Sequence, residues 1–130
     1  MEHPNVEVIR AWTRAVSARD IDAVRALLHE QARFHIGGRN PVSGDYIGRD
    51  HVLNDFFRRL AHVFDRIDVQ LHDVLANDDH VVAIIDRTMR RGTRTLEMRA
   101  VGVYHVRGGK ITEAWIHEGD QHAADEFASG

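Results

Sequence analysis

No cysteine occurs among the 130 residues, which excludes a disulfide framework, a thiolate nucleophile and any cysteine-ligated metal. Positive charge in excess is missing too. Seventeen Lys and Arg stand against 20 Asp and Glu, a net charge of −3 with the ten histidines counted neutral. Nothing in that balance attracts nucleic acid or an anionic membrane surface. No apolar run approaches the roughly 20 residues of a membrane-spanning helix. The chain opens on an acid and a histidine ahead of Pro4, not on a basic run followed by an apolar one. No secretion signal is read there, and a cytoplasmic location is the expectation. Repeats, linkers and low-complexity segments are also lacking.

Several motifs of catalysis are absent as well. His117 and His122 are five apart in an expected strand and its exit, whereas a zincin needs histidines four apart on a helix. The glycine-rich stretch after the first strand lacks both the Lys-Ser/Thr of a phosphate loop and the dinucleotide fingerprint. No serine stands in a nucleophile-elbow pattern. No metal and no cofactor is therefore expected.

What is present is an ordinary globular composition, 43% hydrophobic and 28% charged. It suits a single domain over residues 1–130 with one core. Pro4 sits where a helix starts, its missing N–H costing nothing there. Val8, Ile9, Trp12 and Val16 recur at helical spacing to about Ser17. Asp20 is placed to cap a second helix with Ile21, Val24, Leu27 and Leu28 on one face. Arg33 to Ile36 reads as a short strand, and Arg39 to Tyr46 as a loop of turn residues. A third helix from about Arg49 carries Leu53, Phe56, Phe57, Leu60 and Phe64 in one stripe, first of all core and in a hollow fold also pocket wall.

Beyond about Arg66 the period becomes two. Ile67, Val69, Leu71 and Leu75 alternate, and Asn77-Asp78-Asp79 turns the chain. In the next strand Ala83, Ile85, Arg87 and Met89 share the inward face. In the one after it Leu96, Met98, Ala100, Gly102, Tyr104 and Val106 do so, with Val101 and Val103 opposite. Gly108-Gly109 turns into a last strand, and His122 to Phe127 reads as one helical turn. The result is an α+β domain, helices on one side of an antiparallel sheet. The sheet's other face still carries apolar side chains, so a homodimer through that outer face is expected.

The order and several motifs resemble the nuclear-transport-factor-2-like superfamily, in its SnoaL-like or ketosteroid-isomerase-like branch. The resemblance covers nearly the whole chain. It rests on Ala18-Arg19-Asp20-Ile21-Asp22-Ala23, on Gly48-Arg49-Asp50-His51-Val52, and on Gly108-Gly109-Lys110-Ile111-Thr112-Glu113-Ala114-Trp115 leading to Asp120. It implies a curved antiparallel sheet wrapped around helices, a cone of the cystatin-like α+β barrel kind with an internal pocket. The steroid isomerases of this fold use a base Asp and an oxyanion hole of Tyr and protonated Asp. Those positions hold Ile36, Trp12 and Gly102 here, so that mechanism is not expected; a one-residue slip of the placement puts His35 at the base position. The cyclases of the branch place an acidic base after the last strand's Trp, which Asp120 matches.

Asp120 is thus the first candidate for a general base, with His35 and Tyr104 as further acid–base or hydrogen-bonding groups. Glu118 shares a face with Asp120 if alternation continues, and an inward Arg87 needs an anion such as either of them. Trp12, Tyr46, Phe56, Leu60, Met89 and Met98 join Arg87 and Glu118 as expected lining. His72, like His35, is a candidate acid–base group or hydrogen-bond donor to a carbonyl. Trp115, out of phase with Asp120, is expected at the dimer face. Two classes of function follow. One is a cofactor-independent isomerase, cyclase or lyase acting on a small apolar carbonyl compound. The other is a non-catalytic binding or dimerisation module. An epoxide-hydrolase-like enzyme is a third reading, for which the known spacing is not found.

Overall fold

A computed structural model describes residues 2–130. Helix α1 (Pro4–Ala18) starts with proline in its first turn and His3 as its cap, the imidazole accepting from the Asn5 N–H. Arg19 closes it in the left-handed region at φ 54°. Asp20 caps α2 (Ile21–Leu27), accepting from the Ala23 N–H at 3.1 Å. Of the apolar face expected there, Val24 is fully buried but Ile21 is exposed. Leu28, expected on that helix, instead opens strand β1 (Leu28–Ile36), which is longer than the sequence suggested.

A second difference follows. Gly44 to Ile47 forms an edge strand, β2, antiparallel to β1 with Phe34 opposite Tyr46. Its four residues lie behind Pro41 among turn residues, so they carry no readable alternation. The third helix is α3 (Arg49–His51), a π-helical turn (Val52–Phe56) and α4 (Phe57–Val63). The Phe57 N–H reaches the Val52 carbonyl across that wide turn, and such turns are frequent at functional sites.

The remaining strands are β3 (Arg66–Ala76), β4 (His80–Arg91), β5 (Arg94–Arg107) and β6 (Lys110–Glu118). They form an antiparallel meander in a six-stranded sheet of order β2-β1-β6-β5-β4-β3. One pairing departs from the antiparallel expectation, because β1 runs parallel to β6, with Phe34 beside Ala114 and Ile36 beside Ile116. Register shifts interrupt β1 between Leu28 and Arg33, β3 between Leu71 and Asp73, and β6 at Thr112, which is passed over where His105 and Val106 pair with Glu113 and Ile111. Such bulges bend strands and increase twist, which curls the sheet around α1. The bulge in β3 also reverses the alternation, so Leu75 points to solvent at 57% exposure.

Helix α1 fills the concave face with Ile9, Trp12 and Ala15. Trp12 packs against Phe34 and Phe57 at ring separations of 5.5 and 5.9 Å. The tail is not one helical turn but helix α5 (Gln121–Ser129), which covers the mouth of the cone. It is pinned by Phe127 stacked on Phe64 at 6.1 Å and by the Arg91 guanidinium donating to the Phe127 carbonyl at 2.8 Å.

Candidate functional site

A cavity of about 120 Å³ lies between the concave sheet face, α1, the π-turn with α4, and α5. Strands β4 and β5 contribute Ile85, Arg87, Met89 and Tyr104 to its lining. Gly102 pairs with Ala83, and Ala100 with Ile85, at the sheet's centre. The Tyr104 ring lies across Gly102. The walls are mostly aromatic and aliphatic: Trp12, Phe34, Phe56, Phe57, Leu60, Phe64 and Met89. Polar groups are few, namely Thr13, Asn40, Arg87, Tyr104, Glu118 and Gln121.

Arg87 reaches from β4 to Glu118 at the end of β6, where the guanidinium Nη2 donates to the carboxylate Oε1. Both side chains are only 13% exposed. The pair is diagonal across Ala100, which faces Glu118 on one side and Ile85 on the other. The Arg87 Nε is buried without a hydrogen-bond partner, so the guanidinium keeps donor capacity beyond the ion pair.

Tyr104 is buried, and burial pushes its phenol up to about 12, against the opposing influences of the Arg87 charge and the Trp12 indole. It is therefore a neutral donor across the physiological range. Trp12 and Arg87 thus both lie close enough to the phenol to oppose that rise.

Helix α5 is clasped to the loop after β1. The Asn40 side-chain amide donates to Asp125 at 2.8 Å, and Gln121 donates to the same oxygen at 3.0 Å. These bonds, Asn40's first, hold the Asp125 carboxyl below the usual carboxylate range.

Trp12, Phe56, Leu60, Arg87, Met89, Tyr104 and Glu118 all line the cavity, while five other sequence candidates stand elsewhere. Asp120 is exposed and caps α5, its carboxylate accepting from the Ala123 N–H at 3.0 Å. Strand β6 ends at Glu118, and the Gly119 N–H bonds to the Arg99 carbonyl. Strand alternation thus stops at Glu118, two residues before Asp120. His35 lies on the outer sheet face, between Asp45 at 2.8 Å and Glu113 at 2.6 Å and stacked on Trp115 at 5.3 Å. Its neighbours Phe34 and Ile36 take the inward positions. Tyr46 faces inward but is core, donating to the Val42 carbonyl at 2.6 Å and accepting from Arg59 at 3.0 Å. Met98, opposite Arg87 in the ladder, is buried in the core without reaching the cavity. His72 is exposed beside Asp86.

Gln121, Asn40 and Thr13 were not singled out from the sequence. The missed signal was a helix. Asp120 as cap, with Ala123 and Phe127, and Ala124 and Ala128, at spacings of four, would have placed α5 over the mouth.

The outer histidine has a pH consequence. Burial alone would lower the His35 imidazole, but hydrogen bonds and charge from Asp45 and Glu113 outweigh it and raise its pKa. A raised histidine stabilises fully below its unfolded value, about 6.5, and that contribution is lost as pH rises through the folded value. His35→Gln is expected to flatten this decline. Urea unfolding midpoints of both proteins from pH 5.5 to 8.5 check it; parallel curves would contradict it.

Among the described residues, no group of three or more His, Asp or Glu side chains is arranged to hold a metal ion. Among the described residues, no helix is long and apolar enough to cross a membrane.

Solved structures share the architecture. Bal32a, from a soil-derived mobile gene cassette, superposes with a TM-score of 0.86 at 29% identity, over 95% of each chain. TerC, co-crystallised with polyporic acid, gives 0.87 at 20% identity over 97% of this chain and 98% of its own. IdmH of Streptomyces antibioticus, provisionally called a polyketide cyclase, gives 0.76 at 18% over 95% and 99%. No curated protein matches the chain. The sequence profile of the SnoaL-like domain matches residues 9–114. With most of its length inside that profile, the chain belongs to the SnoaL-like domain family.

Proposed function

We propose that the cavity performs acid–base chemistry on a small, largely apolar carbonyl compound, as an isomerase, cyclase or lyase that needs no cofactor. The observation that carries this reading is the buried Arg87–Glu118 pair in a mostly apolar cavity that a neutral phenol, Tyr104, also lines. Glu118 is the base. It takes a proton from carbon next to the carbonyl, and the electron pair moves to the carbonyl oxygen. Tyr104 donates to that oxygen, and Arg87 follows the negative charge from Glu118 toward it. The charge inside the cavity stays balanced throughout. Returning the proton to a different carbon completes an isomerisation; expelling a leaving group completes an elimination.

The size of the hollow narrows the substrate. An engineered cavity of about 150 Å³ holds benzene, so about 120 Å³ suits a single ring or a short chain. The test is a melting-temperature screen of small cyclic and acyclic carbonyl compounds, followed by mass spectrometry of each hit. A binder shifts the melting temperature by mass action, and a new product mass is expected. Saturable binding with every compound recovered unchanged would favour a binding module instead.

We further propose a homodimer through the outer sheet face, where Val82, Ile84, Val101, Val103 and Trp115 are only partly buried. Light scattering should give twice the 14.8 kDa chain mass, and Trp115→Lys should reduce it to one. A single-chain mass for the unaltered protein would remove the proposal.

A further inference from the structure

Gly102 lies in the middle of β5, and its backbone gives no reason for a glycine. It is absent from the glycines with positive φ, and its neighbours across the ladder, Ala83 and Ile116, are ordinary partners. A glycine inside a strand weakens it unless something must approach closely. What approaches is the side chain two residues on. A Cβ on Gly102 would stand 2.6 Å from both Cε2 and the hydroxyl oxygen of Tyr104, and 2.8 Å from Cζ. The phenol therefore lies back along the strand, flat over the bare Cα, with its oxygen above Gly102.

From this geometry we infer that Gly102 is a positioning residue: its missing side chain is what lets the Tyr104 ring lie back along the strand with its hydroxyl above Gly102, at the wall of the cavity. An alanine there cannot coexist with the ring in this place, since contacts under 3.0 Å do not occur between real Cβ atoms and their neighbours. The ring would have to swing out along its strand or tilt up into the cavity. Either way the hydroxyl leaves its place above Gly102. The consequence for ligands rests on the reading of Tyr104 as donor given above; the placement itself does not.

The experiment uses the whole chain labelled with ¹³Cζ-tyrosine, which gives two phenol signals, one each from Tyr46 and Tyr104. Tyr104→Phe assigns them. In the unaltered protein Tyr104 is expected to ionise near 12. In Gly102→Ala its ionisation should move by at least about one unit toward the ordinary tyrosine value, about 10. An unmoved Tyr104 titration in a folded Gly102→Ala protein would overturn the inference.

Should Gly102→Ala fold poorly, a melting cycle with Tyr104→Leu decides. Gly102→Ala is expected to lower the melting temperature when the ring is present and to leave it level or raised when leucine replaces it. Equal losses in both backgrounds would also overturn the inference. Binding of cyclohex-2-en-1-one, a single-ring carbonyl probe, separates the two readings. Gly102→Ala and Tyr104→Phe should each weaken it about three- to tenfold, and the double variant no further. Unchanged binding in Tyr104→Phe would sink the donor reading, while the placement by Gly102 is judged by the titration.

Discussion

Arg87→Met is expected to destabilise the protein by about 3–5 kcal/mol, because it strands the Glu118 carboxylate in an apolar cavity without its partner. Glu118 and Arg87 are equally buried, each 13% exposed, so water reaches neither freely. The loss corresponds to a melting temperature lower by roughly 10–20 °C for a chain of this size. The pair as a whole is a different matter. Attraction in a buried ion pair roughly offsets the desolvation of both charges, and a hydrophobic replacement of both members is often neutral. Arg87→Met/Glu118→Leu should therefore recover most of the stability while removing any chemistry the pair performs. Thermal and urea unfolding of the single and double variants measure this. A single variant as stable as the parent would mean that Glu118 does not depend on Arg87. Such a pair, dispensable for stability in its hydrophobic form, is better explained by use than by folding.

Glu118→Gln is expected to lower turnover of any substrate found in the screen by about 10²–10⁴, the range for removing a general base. Binding of the same compound should be nearly unchanged, since glutamine keeps the shape and still accepts from Arg87. The loss therefore belongs in kcat and not in KM. Asp120→Asn supplies the contrast. Asparagine caps helices about as well as aspartate, so α5 should stay over the mouth and turnover should stay near that of the parent. If instead Asp120→Asn abolished turnover and Glu118→Gln did not, the base would have been assigned to the wrong carboxylate. Steady-state kinetics of both variants beside the parent decide it.

The strands that were legible from sequence are those in which alternation runs uninterrupted through the middle of the sheet. Ala83, Ile85 and Met89, and Ala100 and Tyr104, all face inward as their spacing suggests. Arg87 shares that face. Each strand there is flanked by regular partners, so the local period of two survives unaltered into the fold. Leu75 shows how the same reading fails. Its side chain is in phase with Ile67, Val69 and Leu71 in the sequence, but the bulge between Leu71 and Asp73 adds one step and turns it outward. Nothing local announces that step, because it is set by pairing with β4. Strand β2 and the parallel pairing of β1 with β6 have the same origin. Both depend on partners more than 70 residues away or on an edge only the folded sheet provides.

The site divides along the same line. Residue types, helix caps, the two periods and the family were determined by the sequence alone, since each rests on chemistry within a few neighbouring positions. Which polar groups meet was decided by tertiary structure. Glu118 and Asp120 are two residues apart, yet the first ends a strand and reaches Arg87 inside the cavity, while the second caps a helix in solvent. Phe34 and His35 are adjacent, yet only the first sees the cavity and the second is held between Asp45 and Glu113 on the other face. A pleated strand sends neighbours to opposite faces, and where it ends depends on hydrogen bonds to other strands. That is why a carboxylate's chemistry is written in the chain but its address is written in the sheet.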